Sequence, residues 1–299
     1  MKVLVSGKNS QIGKELQLLS SNQKHDLIFL DSSDMNLLNM VQIKDVIMSS
    51  NPDMIINLSA FTDVEKSETN KDEAYMINSE APAFISSLAS DIKSRIIHVS
   101  SDYVFGNNDN APFNSNSKPG PVNFYGETKL KGEQGVLNNN NMSIIIRTAS
   151  VFSSHNSNFI KSIYSKLISN EKINVIDDQN INLTHAEDLA QLIIDLINLV
   201  SNKTILQNNE PLVFHYTNVG YTTWFDVANY IRKQIAIKQK YLEEINPIKS
   251  IDWESKASRS KDTRLEIDYS LLNSLDIKLY NWEKKVSDVL NVLYKNGNN

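Results

Sequence analysis

Four short apolar runs constrain this chain most: Lys2–Ser6, His25–Asp31, Met54–Leu58 and Ile96–Val99. Each closes on small or polar residues, and a stretch of helical composition follows each of the first three. Runs of this length without polar alternation suit strands buried on both faces of a parallel sheet. Parallel neighbours need crossovers, which the intervening segments supply in the right-handed sense of βαβ units. The expectation is an α/β fold with a doubly wound, Rossmann-type parallel sheet, extended by a fifth strand at Ile144–Arg147.

The first run enters Gly7-Lys-Asn-Ser-Gln-Ile-Gly13 and then an amphipathic helix through Ser20. Only 9 residues of 299 are glycine, so those that remain mark places where the backbone requires one. Strand, glycine turn and helix start form the layout of a dinucleotide-binding unit. Gly7 would allow the tight turn and Gly13 the close packing of helix on strand, while free amides at the helix start would hold a pyrophosphate. Ser10 stands where a third glycine is often found; its side chain either narrows the approach of the phosphates or points away. Asp31 follows the turn at about 20 residues, the spacing of an acid that binds adenosine ribose hydroxyls. An acid there favours NADH by repelling a 2′-phosphate, and only Ser32 and Ser33 follow it, yet Lys8 leaves NADPH open. Ser59, Ala60 and Phe61, with Thr62, end the third run and leave space on the adenine or pyrophosphate side.

The fourth run ends in Ser100, Ser101 and Asp102, at the strand end where open α/β sheets receive ligands. Tyr125 and Lys129 stand four apart in the helical stretch Tyr125-Gly-Glu-Thr-Lys129 and share a face. A serine hydroxyl, a phenol and an ammonium meeting at one spot deliver a proton to a carbonyl while hydride arrives from a cofactor. Among 11 tyrosines about one Tyr-x-x-x-Lys arises by chance, and a second pair does occur, Tyr280 with Lys284. That pair follows no serine-ended strand and reads as an ordinary exposed helix face. The long Asn-, Ser- and Pro-rich stretch from Gly106 to Val122 suits an edge over the substrate.

Beyond Arg147 the pattern predicts a helix at Phe159–Leu167, a strand at Ile173–Ile176 and a capping box, Thr184-His-Ala-Glu187, opening an apolar helix through Val200. A strand at Val213–Tyr216 and a helix opening at Thr222 follow. Residues 1–150 would form the dinucleotide-binding domain, with 177–215 partly returning to it; residues 151–176 and 216–299 would form a smaller C-terminal substrate lobe. The acidic stretch Asp63–Asp72 reads as a solvated surface and Asn138–Asn141 as a polar loop.

A net charge of −5 with mixed signs argues against nucleic acid as partner. The absence of cysteine excludes disulfides and thiolate chemistry and fits a cytoplasmic protein. The first apolar run is too short for a signal peptide, and the longest later one, Leu189–Val200, reads as a core helix, so no membrane association is expected. The five histidines show no metal-ligand spacing, and His98 reads as a core residue. Trp224 and Trp282 read as packing; Trp253 is too isolated to assign.

The chain resembles the dTDP-4-dehydrorhamnose reductase family of extended short-chain dehydrogenases along nearly its whole length. The resemblance rests on Gly7-Lys8 with Gln11-Ile-Gly13, Pro52-Asp-Met-Ile-Ile-Asn57, Ser101-Asp-Tyr-Val-Phe105, Tyr125-Gly-Glu-Thr-Lys-Leu130 with Gly132-Glu133, Ile146-Arg-Thr148, Asp178-Gln179 and Thr222-Thr-Trp224. It implies reduction, by NADH or NADPH, of the 4-keto group of a nucleotide-linked 6-deoxyhexose, in the supply of precursors for surface polysaccharides or glycans. Tyr125 would be the proton donor, Lys129 would bind the nicotinamide ribose and lower the tyrosine pKa, and Ser101 would hydrogen-bond the carbonyl oxygen. Cofactor contacts would fall on Ser10, Gln11, Ile12, Asp31, Ser59, Ala60, Phe61 and Val99, with Asn36 and Leu37 near the adenine. Substrate would meet Ser101, Asp102, Ser150 and Arg259.

The departures from the family pattern cluster where substrate is chosen. Ser150 replaces a tryptophan, Ile181-Asn-Leu183 replaces a Gly-Xaa-Pro, and Arg259-Ser260 replaces an Arg-Pro, with Thr263 as the hydroxyl beyond. Losing an aromatic removes a large contact surface, so the keto-sugar differs or the site is inactive. Of three glutamates that bind magnesium at a dimer interface in some members, Glu15 and Glu187 match but the third position is Val292; no metal is expected, and a homodimer is left open. Two rivals stay open as well: an epimerase with the same three residues, and a non-catalytic cofactor-binding regulatory subunit. Dehydration is disfavoured because Tyr103, not a second acid, follows Asp102.

Overall fold

The computed structural model describes residues 1–21, 24–106, 111–202, 210–237 and 243–297. Its strands are β1 (Lys2–Ser6), β2 (Asp26–Leu30), β3 (Met54–Asn57), β4 (Arg95–Ser101), β5 (Ser143–Thr148), β6 (Val151–Phe152), β7 (Ile173–Ile176), β8 (Asn180–Ile181), β9 (Thr184–His185), β10 (Leu212–His215), β11 (Thr222–Thr223) and β12 (Ile245–Ile248). The helices are α1 (Gln11–Ser20), α2 (Met40–Ser50), α3 (Val64–Ser67), α4 (Lys71–Tyr75), α5 (Ala81–Asp91), α6 (Phe124–Asn139), α7 (Phe159–Ile168), α8 (Ala186–Ser201), α9 (Trp224–Ala236), α10 (Tyr269–Ser274) and α11 (Trp282–Gly297). A π-helical turn, Met76–Glu80, joins α4 to α5.

Six strands form one parallel sheet in the order β10-β5-β4-β3-β1-β2. The expected α/β doubly wound sheet is therefore present, and the late strand β10 closes its edge beside β5. The period of two explains the unbroken apolar runs, because each strand feeds both faces. Val3, Val5 and Ile56 turn to a core shared with Leu16 of α1 and Leu192, Ile193 and Ile197 of α8. Leu4, Ile55, Ile96 and Ile145 turn to the opposite core, with Ile43 and Ile47 of α2, Ile85 of α5 and Val136 of α6. The chain leaves β1 towards β2 on one side and returns to β3 on the other, so a crevice opens at the tips of β1 and β3.

The later residues build a third core from Ile160 and Ile163 of α7, Val227 and Ile231 of α9, Val286 of α11 and Trp282, with the paired strands β7 and β12 at its edge. Trp282 is buried there, as its reading as a packing residue requires.

Three local readings change. Thr184 and Glu187 make no capping box: α8 begins at Ala186 without a side-chain cap, because Thr184 lies in a strand pairing with β6 and its hydroxyl accepts from Thr148 (2.8 Å). α6 continues to Asn139, into the stretch read as a polar loop. The acidic stretch Asp63–Asp72 is largely exposed, as read, and carries α3 and the start of α4. Tyr280 precedes α11 instead of lying on it, its ring covered by Lys285 (4.3 Å) and Lys284 (5.1 Å). Residues 107–110 of the long stretch after β4 lie outside the described residues.

The glycine turn shows the tightest sequence requirement. Gly7 has φ +86°, in the left-handed region, and a Cβ on Gly13 would stand 2.2 Å from the Gly7 carbonyl oxygen. Gly13→Ala must push α1 off the β1 tip, at a cost on the order of 1–3 kcal/mol for an overpacked contact. Urea unfolding should show that loss as a lower midpoint with an unchanged slope.

Candidate active site

The N-terminus of α1 faces the crevice. Ser10 caps it, its hydroxyl accepting from the Gly13 N–H (2.9 Å), so the side chain turns back onto its own helix rather than across the phosphate approach. The N–H groups of Gln11 and Ile12 meet no acceptor among the described residues. The Gln11 side chain is engaged elsewhere, donating to the Val151 carbonyl (3.1 Å) and accepting from Ser153 and Asn158. At the neighbouring tip, Ser59 donates its N–H to Asn57 (3.2 Å), and Phe61 is held on both backbone groups by Asn78 from the π-helical turn. Ser6 and His98 complete this row by bonding Asn57 (2.8 and 3.0 Å), which fixes the tips of β1, β3 and β4 relative to one another.

Asp31 ends β2 in the open. Its carboxylate accepts from the Ser33 hydroxyl (2.6 Å) and N–H (2.9 Å), and these bonds hold its pKa below the usual value. Asn36 is exposed, bonding the Leu38 N–H, whereas the Leu37 side chain is buried among Ile43 and Ile47 and offers a ligand little more than backbone. The features of this crevice fit a dinucleotide: a left-handed glycine, a helix start with two unengaged amides, and an acid at the adjoining strand tip.

Ser101, Tyr125 and Lys129 do come together. Asn123 caps α6 through the Gly126 N–H (2.8 Å) and donates its own amide to the Ser258 carbonyl (2.8 Å), which orients the first turn carrying Tyr125. The phenol is hydrogen-bonded to the Ser101 side chain, and the Tyr103 ring meets the Tyr125 ring edge-on at 5.4 Å. The expected lowering of the phenol pKa is not found: burial raises it, with the Ser101 bond opposing, so the group is a neutral proton donor at physiological pH. Lys129 is buried and donates to the Val99 carbonyl (2.9 Å). Burial lowers its pKa to about 8 against the counter-effect of Glu133. An ammonium has three donors, and the bond to Val99 is the one found among the described residues, leaving two for a ligand.

Behind Ser101 lies the Asp102 carboxyl, expected to meet substrate but turned instead to protein partners. Asp102 is buried, accepts from the Ser101 hydroxyl (3.0 Å) and is hydrogen-bonded by Thr263. Burial raises its pKa to about 6 in spite of those bonds. Thr263 belongs to the segment 254–268, which crosses the site from the C-terminal side. Glu65 anchors that segment by accepting from Ser255 (2.6 Å), the N–H groups of Lys256 and Ala257, and Arg259 (2.9 Å). Burial disfavours the Glu65 charge, yet these donors outweigh it and hold the carboxyl at about 2. This anchor could not be read from the sequence, because it joins residues nearly two hundred positions apart.

Arg259 thus sits against Glu65 at the rim of a cavity of about 660 Å³, lined also by Trp224, Trp253, Phe159 and Gln179. The partly exposed Trp253 therefore has a place beside the Phe159–Trp224 ring pair (4.6 Å). Ser150 has φ +42°, and its carbonyl accepts from the Thr184 N–H (3.4 Å). At the other departures, Ile181 and Leu183 are buried and Asn182 bonds Thr217 and the Leu265 N–H, so those residues serve packing.

The model of the RmlD substrate binding domain family matches residues 1–295. The chain is 29% identical over 299 residues to a dTDP-4-dehydrorhamnose reductase of Escherichia coli (strain K12), covering 98% of each. It superposes with a TM-score of 0.88 on the crystal structure of a dTDP-4-dehydrorhamnose reductase from Clostridium acetobutylicum, at 26% identity, covering 98% of this chain and 100% of the other. A dTDP-4-dehydrorhamnose reductase from Bacillus anthracis, solved in complex with NADP, gives 0.87 at 25% identity, covering 97% and 98%.

The raised Asp102 carboxyl makes a stability prediction. A folded pKa above the unfolded one adds stability that is complete below about 4 and is lost as pH rises through about 6. Asp102→Asn should therefore flatten the stability profile between those pH values, changing the mutant-minus-parent difference by about 3 kcal/mol across the window. Chemical denaturation at a series of pH values measures it.

Proposed function

The chain belongs to the RmlD substrate binding domain family, and from that premise we propose that it reduces the 4-keto group of a nucleotide-activated 6-deoxyhexose with NADH or NADPH. The observation that carries this reading is the meeting of a neutral buried phenol, a serine hydroxyl and a buried ammonium at the tip of β4. Bound nicotinamide cofactor would supply the hydride. The helix start at Gln11 and Ile12, Asp31, the Ser59–Phe61 loop and Lys129 would hold it.

The chain's own groups account for the remaining chemistry. As the carbonyl carbon gains hydride, negative charge grows on its oxygen. Ser101 would turn its single proton from Asp102 to that oxygen, and Tyr125 transfers the phenolic proton to it. The phenolate left behind is stabilised by the nearby ammonium, which is why Lys129 must remain charged. Tyr103 and the segment 254–268 exclude water from the phenol, so the proton goes to substrate rather than solvent. Asp102 lies behind Ser101, where it orients the hydroxyl. Arg259, with Trp224 and Trp253, lies at a cavity of a size for the nucleotide end of the substrate. In this reading residues 1–150, with 177–215 partly returning to them, carry the cofactor, and 151–176 with 216–299 form the substrate lobe.

Incubation with dTDP-, GDP- and UDP-linked 4-keto-6-deoxy sugars should oxidise NADH or NADPH stoichiometrically with product, followed optically. Oxidation with none of them would overturn the proposal, and turnover with the cofactor returned unchanged would replace reduction by epimerisation. Tyr125→Phe should retain the fold and cofactor affinity while kcat falls by about 10²–10⁴, the usual value of a positioned proton donor.

A further inference from the structure

Three buried charges lie in line beneath the site: Lys129, Glu133 and Arg147. Glu133 stands one helical turn beyond Lys129 on α6, on the same face. Its carboxylate is gripped by Arg147 of β5 through Nε to Oε1 (2.9 Å) and Nη2 to Oε2 (2.7 Å), with side-chain exposures of 1% and 6%. Arg147 is itself fixed, lying over the Phe105 ring (5.1 Å) and donating to the Ser115 carbonyl (3.3 Å). Strand pairing sets Arg147 opposite Ser100 of β4, whose neighbour Val99 holds the Lys129 ammonium.

The charge count makes this arrangement consequential. Two cations, Lys129 and Arg147, are buried here with one carboxylate between them; among the described residues the other buried Lys or Arg, Lys285, pairs with Asp188 elsewhere. A buried ammonium without a counter-charge gives up its proton. The other titratable groups facing this row supply none that is dependable. His98 of β4 is held neutral by burial and by Lys129, and His215 of β10 by burial and by Arg147. Tyr103 and Tyr125 are neutral, Asp268 faces His215, and Asp102 is turned to Ser101 and Thr263.

We propose that Glu133, locked in place by Arg147, is a positioning residue that keeps Lys129 charged at working pH, and that the two cations compete for its single charge. The claim rests on the reductase reading only for its kinetic readout. Competition has a signature that damage to the core lacks: removing the carboxylate and removing its rival cation must act in opposite directions. Glu133→Gln leaves Lys129 without a counter-charge, so its loss of a proton moves to lower pH by about one unit or more. Arg147→Met frees the whole carboxylate for Lys129 and moves that step to higher pH.

The test is a ¹³C titration of the lysine side chain in the intact chain, assigned through Lys129→Met and recorded for the parent and both variants; it requires neither substrate nor turnover. The expected result is a step near pH 8 for the parent, moved down in Glu133→Gln and up in Arg147→Met. The alkaline limb of kcat/KM should follow the same order. Movement in one direction for both variants, or none in either, overturns the proposal. A titration that behaves as expected with no reductase activity would instead count against the proposed function alone. If Arg147→Met unfolds, Arg147→Lys keeps the cation, and its step must stay near that of the parent.

Discussion

The hydrogen bond from Lys129 to the carbonyl of Val99 joins the helix that carries the phenol to the strand that carries the serine. Together with the bond between the phenol and Ser101, that 2.9 Å contact ties α6 across the tip of β4. A cation placed there demands more than one carbonyl. It is set in a sheet whose neighbouring strand delivers Arg147, and on a helix whose next turn delivers Glu133. Parallel pairing of β4 with β5 therefore does double service, building the core through Ile97, Ile144 and Ile146 and stationing the charges that make an interior ammonium tolerable.

The same logic governs the cofactor side. Three strand tips end in polar residues that would each be costly if left alone. Ser6, Asn57 and His98 answer one another across β1, β3 and β4, so these buried groups fix the strand ends relative to one another. The amides of Gln11 and Ile12 at the start of α1 meet no acceptor among the described residues, and an anionic group would complete them there. The π-helical turn contributes at a distance: Asn78, projected from it, pins the Phe61 backbone and donates to Thr128 of α6 (3.1 Å), coupling the loop beside the cofactor to the catalytic helix.

What the sequence disclosed was what local pattern controls. The sheet and its crossovers were readable because fully buried strands need uninterrupted apolar residues. Ser101, Tyr125 and Lys129 were readable because strand end and helix face are both short-range properties. Boundaries failed where a distant residue took a hydroxyl or carboxylate for itself. Thr184 looks like a helix cap until Thr148 is seen beside it. Glu65 looks like one more surface acid until Ser255, Lys256, Ala257 and Arg259 arrive from the far end of the chain. Gln11 belongs to a dinucleotide turn by spacing, yet its side chain holds Val151 and Ser153 instead of facing the crevice. Competition for a polar atom is decided in three dimensions and leaves no periodicity behind.

The segment 254–268 shows how such competition ties substrate side to proton chemistry. At one end Glu65 holds Arg259 beside the cavity of Trp224 and Trp253; at the other Thr263 bonds the buried Asp102. Lys261 and Thr263 share Asn180, and beyond them Phe113 pairs with Arg264 and Glu266, so the segment is pinned at several points along its length. Ser260, between the two anchors, packs against Gly106. Thr263 reaches the Ser101 hydroxyl through Asp102. Of the positions that depart from the family pattern, Ile181 and Leu183 fill the core, whereas Ser260 lies on the segment whose neighbouring Thr263 bonds Asp102.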